Sequence, residues 1–286
     1  MQNRRERGTL VGNCLPSRWR GTRRRLAAFA VSAACVAQAS LVQAAGVRLS
    51  AAEAARIGKK VWQNECAGTV AGLTSWNAGE NFASLGIGHF IWYPKGARGP
   101  FEESFPDLLE FMAQRGAHLP AIVADQRACP WNSRAEFLAA SQKPPMKGLR
   151  QFLAATVNLQ AEFLVARLEK ALPKMLAAAP AAERARIASQ FDRVASTPQG
   201  CYALVDYVNF KGEGLLDSER YAGQGWGLLQ VLEGMNGTET GPAAAVEFSR
   251  SARAVLTRRV KNSPSARNES RWLPGWLQRV QSYAKS

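Results

Sequence analysis

The chain changes its hydrophobic period early, and that change bounds the folds open to it. From Ser50 the apolar residues Ala54, Ile57, Val61 and Trp62 recur at helical spacing, which predicts a helix over 50–65. Ser50-Ala51-Ala52-Glu53 is a capping box, in which hydroxyl and carboxylate satisfy each other's backbone amides. Over 72–92 the period shortens. Phe, Trp, Ile and Leu mix with Thr, Ser and Asn around the turn residues Asn77-Ala78-Gly79, the pattern of a hairpin or small sheet. Residues 94–100 read as a loop, and helical spacing then returns over 101–114. A short helix capped by Asn132-Ser133 runs to Ser141, and Lys143-Pro144-Pro145 reads as a break. A long helical pattern starts at Gly148, and Pro173 kinks or ends it. Further helices are expected over 181–196, 202–210, 228–235, 243–259 and 273–283, with a glycine-rich segment at 211–227. One small β element followed by many helices is an α+β fold, mostly α.

Residues 1–39 stand apart. They hold eight Arg and one Glu, close to half of the formal net charge of +15. Arg23-Arg24-Arg25 ends the basic stretch, an apolar run covers 26–36, and Ala37-Gln38-Ala39 follows. These are the three parts of a secretory signal peptide. Cleavage is expected after Ala39, with Val42-Gln43-Ala44 as the second site. A membrane anchor fits less well, because the run is shorter than the ~20 residues of a spanning helix. Residues 40–49 then form a short linker and 50–286 one domain. Apolar residues at 47% are enough to bury a core, which excludes a disordered chain. The expected location is periplasmic or secreted, with no membrane role beyond export. The exported part keeps about +8, which suits an anionic envelope polymer rather than nucleic acid. A monomer is expected.

Cleavage leaves Cys66, Cys129 and Cys201, so one disulfide plus one free thiol is the expectation for an exported chain. There is no C-x-x-C, and the two histidines, His89 and His118, are far apart, so no metal or other cofactor is implied. No G-x-S-x-G or phosphate loop is present.

Glu65 closes the first helix. A helix C terminus and apolar neighbours such as Trp62 both disfavour a charged carboxylate, which leaves a proton available near neutrality. That is the requirement for a general acid in glycoside cleavage. An ordinary helix-end glutamate is the alternative. The hairpin segment that follows ends in Ser84-Leu85-Gly86-Ile87-Gly88-His89. Here the sequence resembles the phage-type lysozymes of the lysozyme-like superfamily. In that family a helix ends in the catalytic Glu, and a hairpin carries a second acid, a Thr or Ser, and a Gly-Ile-Gly-His run. The resemblance implies Glu65 as the acid, Ser84 as the hydroxyl that holds water or substrate, and His89 as a structural residue pinning sheet to helices. A second acid at the family's spacing is missing. Glu80 is the carboxylate between Glu65 and Ser84, either orienting water or facing solvent beside the turn. A place near the hairpin tip argues for a long carboxyl separation and inversion if hydrolysis occurs.

Ala203-Leu204-Val205-Asp206-Tyr207-Val208-Asn209-Phe210-Lys211-Gly212-Glu213-Gly214 resembles the family's helix-to-glycine segment, Leu228-Leu229 its next helix, and Arg258-Arg259 with Leu273-Pro274-Gly275-Trp276-Leu277-Gln278-Arg279 its C-terminal helices. The resemblance spans about 50–283 in the same order, while 93–200 looks enlarged. Glycines 223, 225 and 227 would let backbone approach a ligand. Gln224, Trp226 and Gln230 are candidates for lining a sugar cleft, and Glu213 is a further carboxylate candidate. Lys59, Lys60, Arg258 and Arg259 read as solvated faces, Trp272 and Trp276 as packing. The resemblance implies an exported enzyme that cuts the glycan of peptidoglycan by hydrolysis or transglycosylation. The alternatives are a non-catalytic glycan-binding or envelope protein on the same fold, and a glycosidase of another polysaccharide such as chitosan.

Overall fold

The computed structural model describes residues 49–99, 101–124 and 128–285. The expected signal peptide at 1–39 lies outside the described residues, as does nearly all of the 40–49 linker. Helix α1 (Ala51–Cys66) starts at the capping box: Ser50 N donates to Glu53 Oε2 at 2.8 Å and Glu53 N to Ser50 Oγ at 3.3 Å. It stops where Ala67 and Gly68 take left-handed backbone, φ 51° and 66°. Its apolar stripe, including Ile57 and Val61, is buried.

Strands β1 (Thr74–Ser75), β2 (Ala83–Leu85) and β3 (Phe90–Trp92) form an antiparallel sheet in the order β1-β2-β3. The rest is helical: α2 (Phe105–Gln114), α3 (Ala121–Ala124), α4 (Arg134–Ala140), α5 (Pro144–Ala155), α6 (Val157–Ala178), α7 (Arg184–Ala195) and α8 (Pro198–Lys211). After a two-stranded ribbon of β4 (Arg220–Tyr221) and β5 (Gln224–Gly225) come α9 (Leu228–Glu233), α10 (Pro242–Asn262) and α11 (Leu273–Gln281). The described part is therefore α+β and mostly α.

Two proline expectations change. Pro144 does not break the chain; it occupies the first turn of α5, where a missing amide costs nothing. Pro173 lies inside α6, which continues to Ala178. The packing of α6 against α1, α2 and α8 outweighs the lost hydrogen bond. Gly58 of α1 lets the two backbones approach, because a Cβ there would press on Ala161 and Val157 of α6.

Residues 93–200 buttress the sheet. Arg150 of α5 donates to Thr74 Oγ1 at 2.6 Å, and Arg134 of α4 donates to the Trp76 carbonyl at 2.9 Å. Trp92, Phe105, Trp131 and Phe137 pack edge-on or tilted behind it. Among the described residues no helix is long and apolar enough to cross a membrane.

Candidate active site

Glu65 comes from the last turn of α1, and three other segments meet its carboxylate. The first is the Gly86-Ile87-Gly88-His89 loop between β2 and β3. Gly86 has φ 73°, and a side chain there would collide with Gln160 and Phe90. The Ile87 amide donates to Gln160 Oε1 at 2.8 Å, while Gln160 Nε2 donates to the Leu153 carbonyl at 2.6 Å. A fully buried glutamine on α6 thus clamps the loop. Gly88 fits against Phe90 and Asn209. His89 follows in left-handed backbone, φ 49°, with Nδ1 3.7 Å from Glu65 Oε2 and Nε2 3.4 Å from the Gly72 carbonyl. Its ring therefore stands between the sheet lobe and the end of α1.

The second segment is the C-terminal turn of α8. Asn209 Nδ2 donates to the Gly88 carbonyl at 3.1 Å and approaches Glu65 Oε1 at 3.4 Å. The third is α11. Arg279 Nη2 donates to Glu65 Oε1 at 2.6 Å and to Asp206 Oδ1 at 2.8 Å, and Arg279 Nε donates to Asp206 Oδ2 at 2.8 Å. Asp206 is fully buried and also accepts from Tyr283 Oη at 2.6 Å and Asn64 Nδ2 at 3.1 Å. Burial disfavours the Arg279 charge, but Asp206 and Glu65 outweigh it and hold its pKa well above the usual arginine range. Burial, with the Asp206 charge beside it, also drives the Tyr283 hydroxyl well up, so it stays a donor. The surroundings of Glu65 are thus an arginine-centred polar network, not the apolar setting expected from Trp62. The Trp62 indole instead donates to the Thr69 carbonyl.

Beside this network opens a cavity of about 910 Å³. Gly88, His89 and Asn209, which surround the Glu65 carboxylate, line it together with Lys211, although Glu65 itself does not, and Phe101 and Glu102 line the side supplied by residues 93–200. Trp226 and Glu213 also line it. Trp226 is buried, with its ring 4.5 Å from Tyr221 and the Arg259 guanidinium 4.0 Å above it. Glu213 forms an ion pair with Lys174 at 3.1 Å.

The other expected residues lie elsewhere. Glu80 accepts from Asn77 Nδ2 at 3.1 Å on the exposed hairpin turn and does not line the cavity. Ser84 is buried in the middle strand opposite Ser75 and Ile91, again off the cavity lining. Gln224 is exposed on β5 and accepts from Asn262. Gln230 is a loop clamp: its Oε1 accepts from the Gly227 amide at 3.0 Å, and its Nε2 donates to the Gly214 carbonyl at 3.3 Å. The close approach that Gly227 permits is to Gly214 of the chain itself.

Two further expectations are corrected. Cys66, Cys129 and Cys201 are all free and buried, with no disulfide among them. Burial pushes the thiols up, to about 12 for Cys66 and Cys129 and about 11 for Cys201, so none is a reactive thiolate. Arg259 is not on a solvated face: it grips Glu269 through two bonds of 2.8 Å, and Glu269 is buried. Arg258, by contrast, is exposed as expected and donates to the Gly225 carbonyl. Among the described residues no three His, Cys, Asp or Glu side chains converge as a metal site.

Arg279, Asp206 and Gln160 were not singled out in the sequence. Asp206 does carry a signal, a lone carboxylate in the apolar run Ala203-Leu204-Val205-Asp206-Tyr207-Val208. Arg279 carries none, being 214 residues from its partner. No protein-family model, no curated protein and no solved structure matches this chain.

Proposed function

We propose that the chain is a glycan-cleaving enzyme of lysozyme-like fold that acts on peptidoglycan, with Glu65 as proton donor. One observation supports this above the rest. The three segments that resemble phage-type lysozymes in sequence order also meet in space, with His89 and Asn209 both reaching the Glu65 carboxylate beside a large cavity. Glycoside cleavage needs a proton delivered to the leaving oxygen. Arg279 and Asn209 occupy Glu65 Oε1, which leaves Oε2, on the His89 side, as the oxygen to face the leaving group. His89 holds the sheet lobe against that edge, which keeps donor and substrate in register.

The place of Glu80 favours a mechanism with one carboxylate. Glu65 protonates the glycosidic oxygen, the bond to the anomeric carbon breaks, and a hydroxyl of the same sugar attacks that carbon. The hydroxyl proton returns to Glu65, and the product carries an anhydro end. The net positive charge of the chain suits an anionic wall polymer and a location outside the cytoplasmic membrane.

The test is digestion of purified peptidoglycan with mass spectrometry of the products. Soluble fragments with anhydro ends are expected. Reducing ends would replace intramolecular attack by hydrolysis. Binding to peptidoglycan without release of fragments would make the chain a glycan-binding protein, and neither binding nor release would end the glycan reading.

A further inference from the structure

The two walls of the cavity differ in how their charges are met. On the wall from residues 93–200, Glu102 pairs with Arg167 at 2.9 Å, and across from it Glu213 pairs with Lys174 at 3.1 Å. The wall formed by α8, the glycine segment, β4, α10 and the turn after it carries Lys211, Arg220, Arg259 and Arg267. Arg259 has Glu269. The Glu219 carboxylate, which also lines this wall, accepts from the Gly214 and Leu216 amides rather than from a cation. Among the described residues, Lys211, Arg220 and Arg267 have no carboxylate partner within 4.0 Å.

We infer that Lys211 and Arg220, with Arg267 beside them, form an anion subsite that receives a carboxylate carried by the sugar next to the bond cleaved. The inference rests on the glycan reading above and narrows it to acid-bearing sugars. Lys211 follows Asn209 and Phe210 at the end of α8, one turn or less from the residue that touches Glu65. Its ammonium lies 3.8 Å from the Phe210 ring centre and 3.5 Å from that of Trp276. The rings stabilise the charge but accept no hydrogen bonds from its three donors. Burial, with Arg259 and Arg279 nearby, pushes its pKa well below the usual lysine range. Arg220 has a buried Nε without a partner, and its Nη2 makes a long 3.4 Å bond to the Gly214 carbonyl. An unmet buried donor such as Arg220 Nε is costly, and an entering carboxylate supplies acceptors to it and to the Lys211 ammonium in charge-assisted form. Peptidoglycan strands freed of their stem peptides offer this group as the lactyl acid of the muramic sugar, whereas in peptide-bearing strands it is an amide and a chitin chain is neutral.

The experiment compares binding of N-acetylmuramic acid with binding of its methyl ester by NMR titration, on the wild type and on K211M, R220M and K211R. The acid is expected to bind the wild type about tenfold tighter than the ester, the scale of one charge-assisted hydrogen bond. K211M and R220M should erase that preference, and K211R should keep it. Equal affinity of the wild type for acid and ester overturns the subsite, and this holds even if a variant fails to fold. A preference that survives in both K211M and R220M overturns the assignment to these residues. Neutral chitin oligosaccharides separate the two readings. If they bind while acid and ester bind alike, the anion subsite falls and the glycan reading stands. If the acid is preferred while no oligosaccharide binds, the subsite stands and the glycan reading falls.

Discussion

Around Glu65 each buried charge meets a partner: Arg279 joins Glu65 to Asp206, and Tyr283 and Asn64 complete the shell of Asp206. A few residues along α8, Lys211 has aromatic rings on two sides and no hydrogen-bond acceptor, and Arg220 across the cavity wall leaves a buried donor unmet. The contrast separates two uses of charge inside one cavity. A saturated network fixes atoms in place, which is what positioning a proton donor needs. A wall of unmet cations gives up stability in the free protein and leaves binding capacity for an anion.

The largest effect is expected from Glu65→Gln. It keeps size and one acceptor but removes the proton, so cleavage of peptidoglycan should fall by about 10²–10⁴-fold with a native circular dichroism spectrum. A rate near that of the wild type would take Glu65 out of the chemistry. Arg279→Met breaks the saturated corner at its centre. It leaves Asp206 buried without its cation and should cost about 3–5 kcal/mol in denaturant unfolding; a loss under 1 kcal/mol would mean that Tyr283 and Asn64 suffice. Gly86→Ala forces a side chain into left-handed backbone against Gln160 and should cost roughly 1–3 kcal/mol, read from the same curves.

Lys211 sharpens the other side. Its folded pKa lies below the unfolded value of about 10.4, so between the two the unfolded chain binds more protons. The contribution of this group to stability is therefore flat below the folded pKa and rises with pH through that window. Lys211→Met should remove this rise from a series of melts run up to pH 10. Unchanged pH dependence would show that the ammonium is well solvated. The smallest effect is expected from reductant: with three free thiols, dithiothreitol should leave Tm where it is. A drop would reveal a bridge between two of them.

How much of this was legible in the sequence follows from distance along the chain. The capping box at Ser50 and Glu53 and the stop after Cys66 involve neighbours, so the helix that ends near Glu65 could be read directly. The shortened period at 72–92 marked the sheet for the same reason, and the Gly86-Ile87-Gly88-His89 run marked its last loop. Pro144 misled, and Pro173 does not end its helix, because a proline states only that its own amide is absent. Whether that ends a helix depends on position in the first turn or on neighbours packed along it. Glu80 was visible as a carboxylate, but its direction was not, since Asn77 and the turn geometry decide where it points.

By itself the sequence determined where the first helix begins and ends, where the β segment interrupts the helices, and that a glutamate stands at the end of the first helix. Those outcomes depend on backbone hydrogen bonds and apolar spacing within a few residues. Only the tertiary structure decided that Arg279 reaches across 214 residues to Glu65, that Gln160 clamps the Gly86 loop, that the cysteines stay apart, and that Lys211 is left without an acceptor. Each depends on which distant side chains burial brings within about 3 Å, and charge pairing at that range has no signature along the chain.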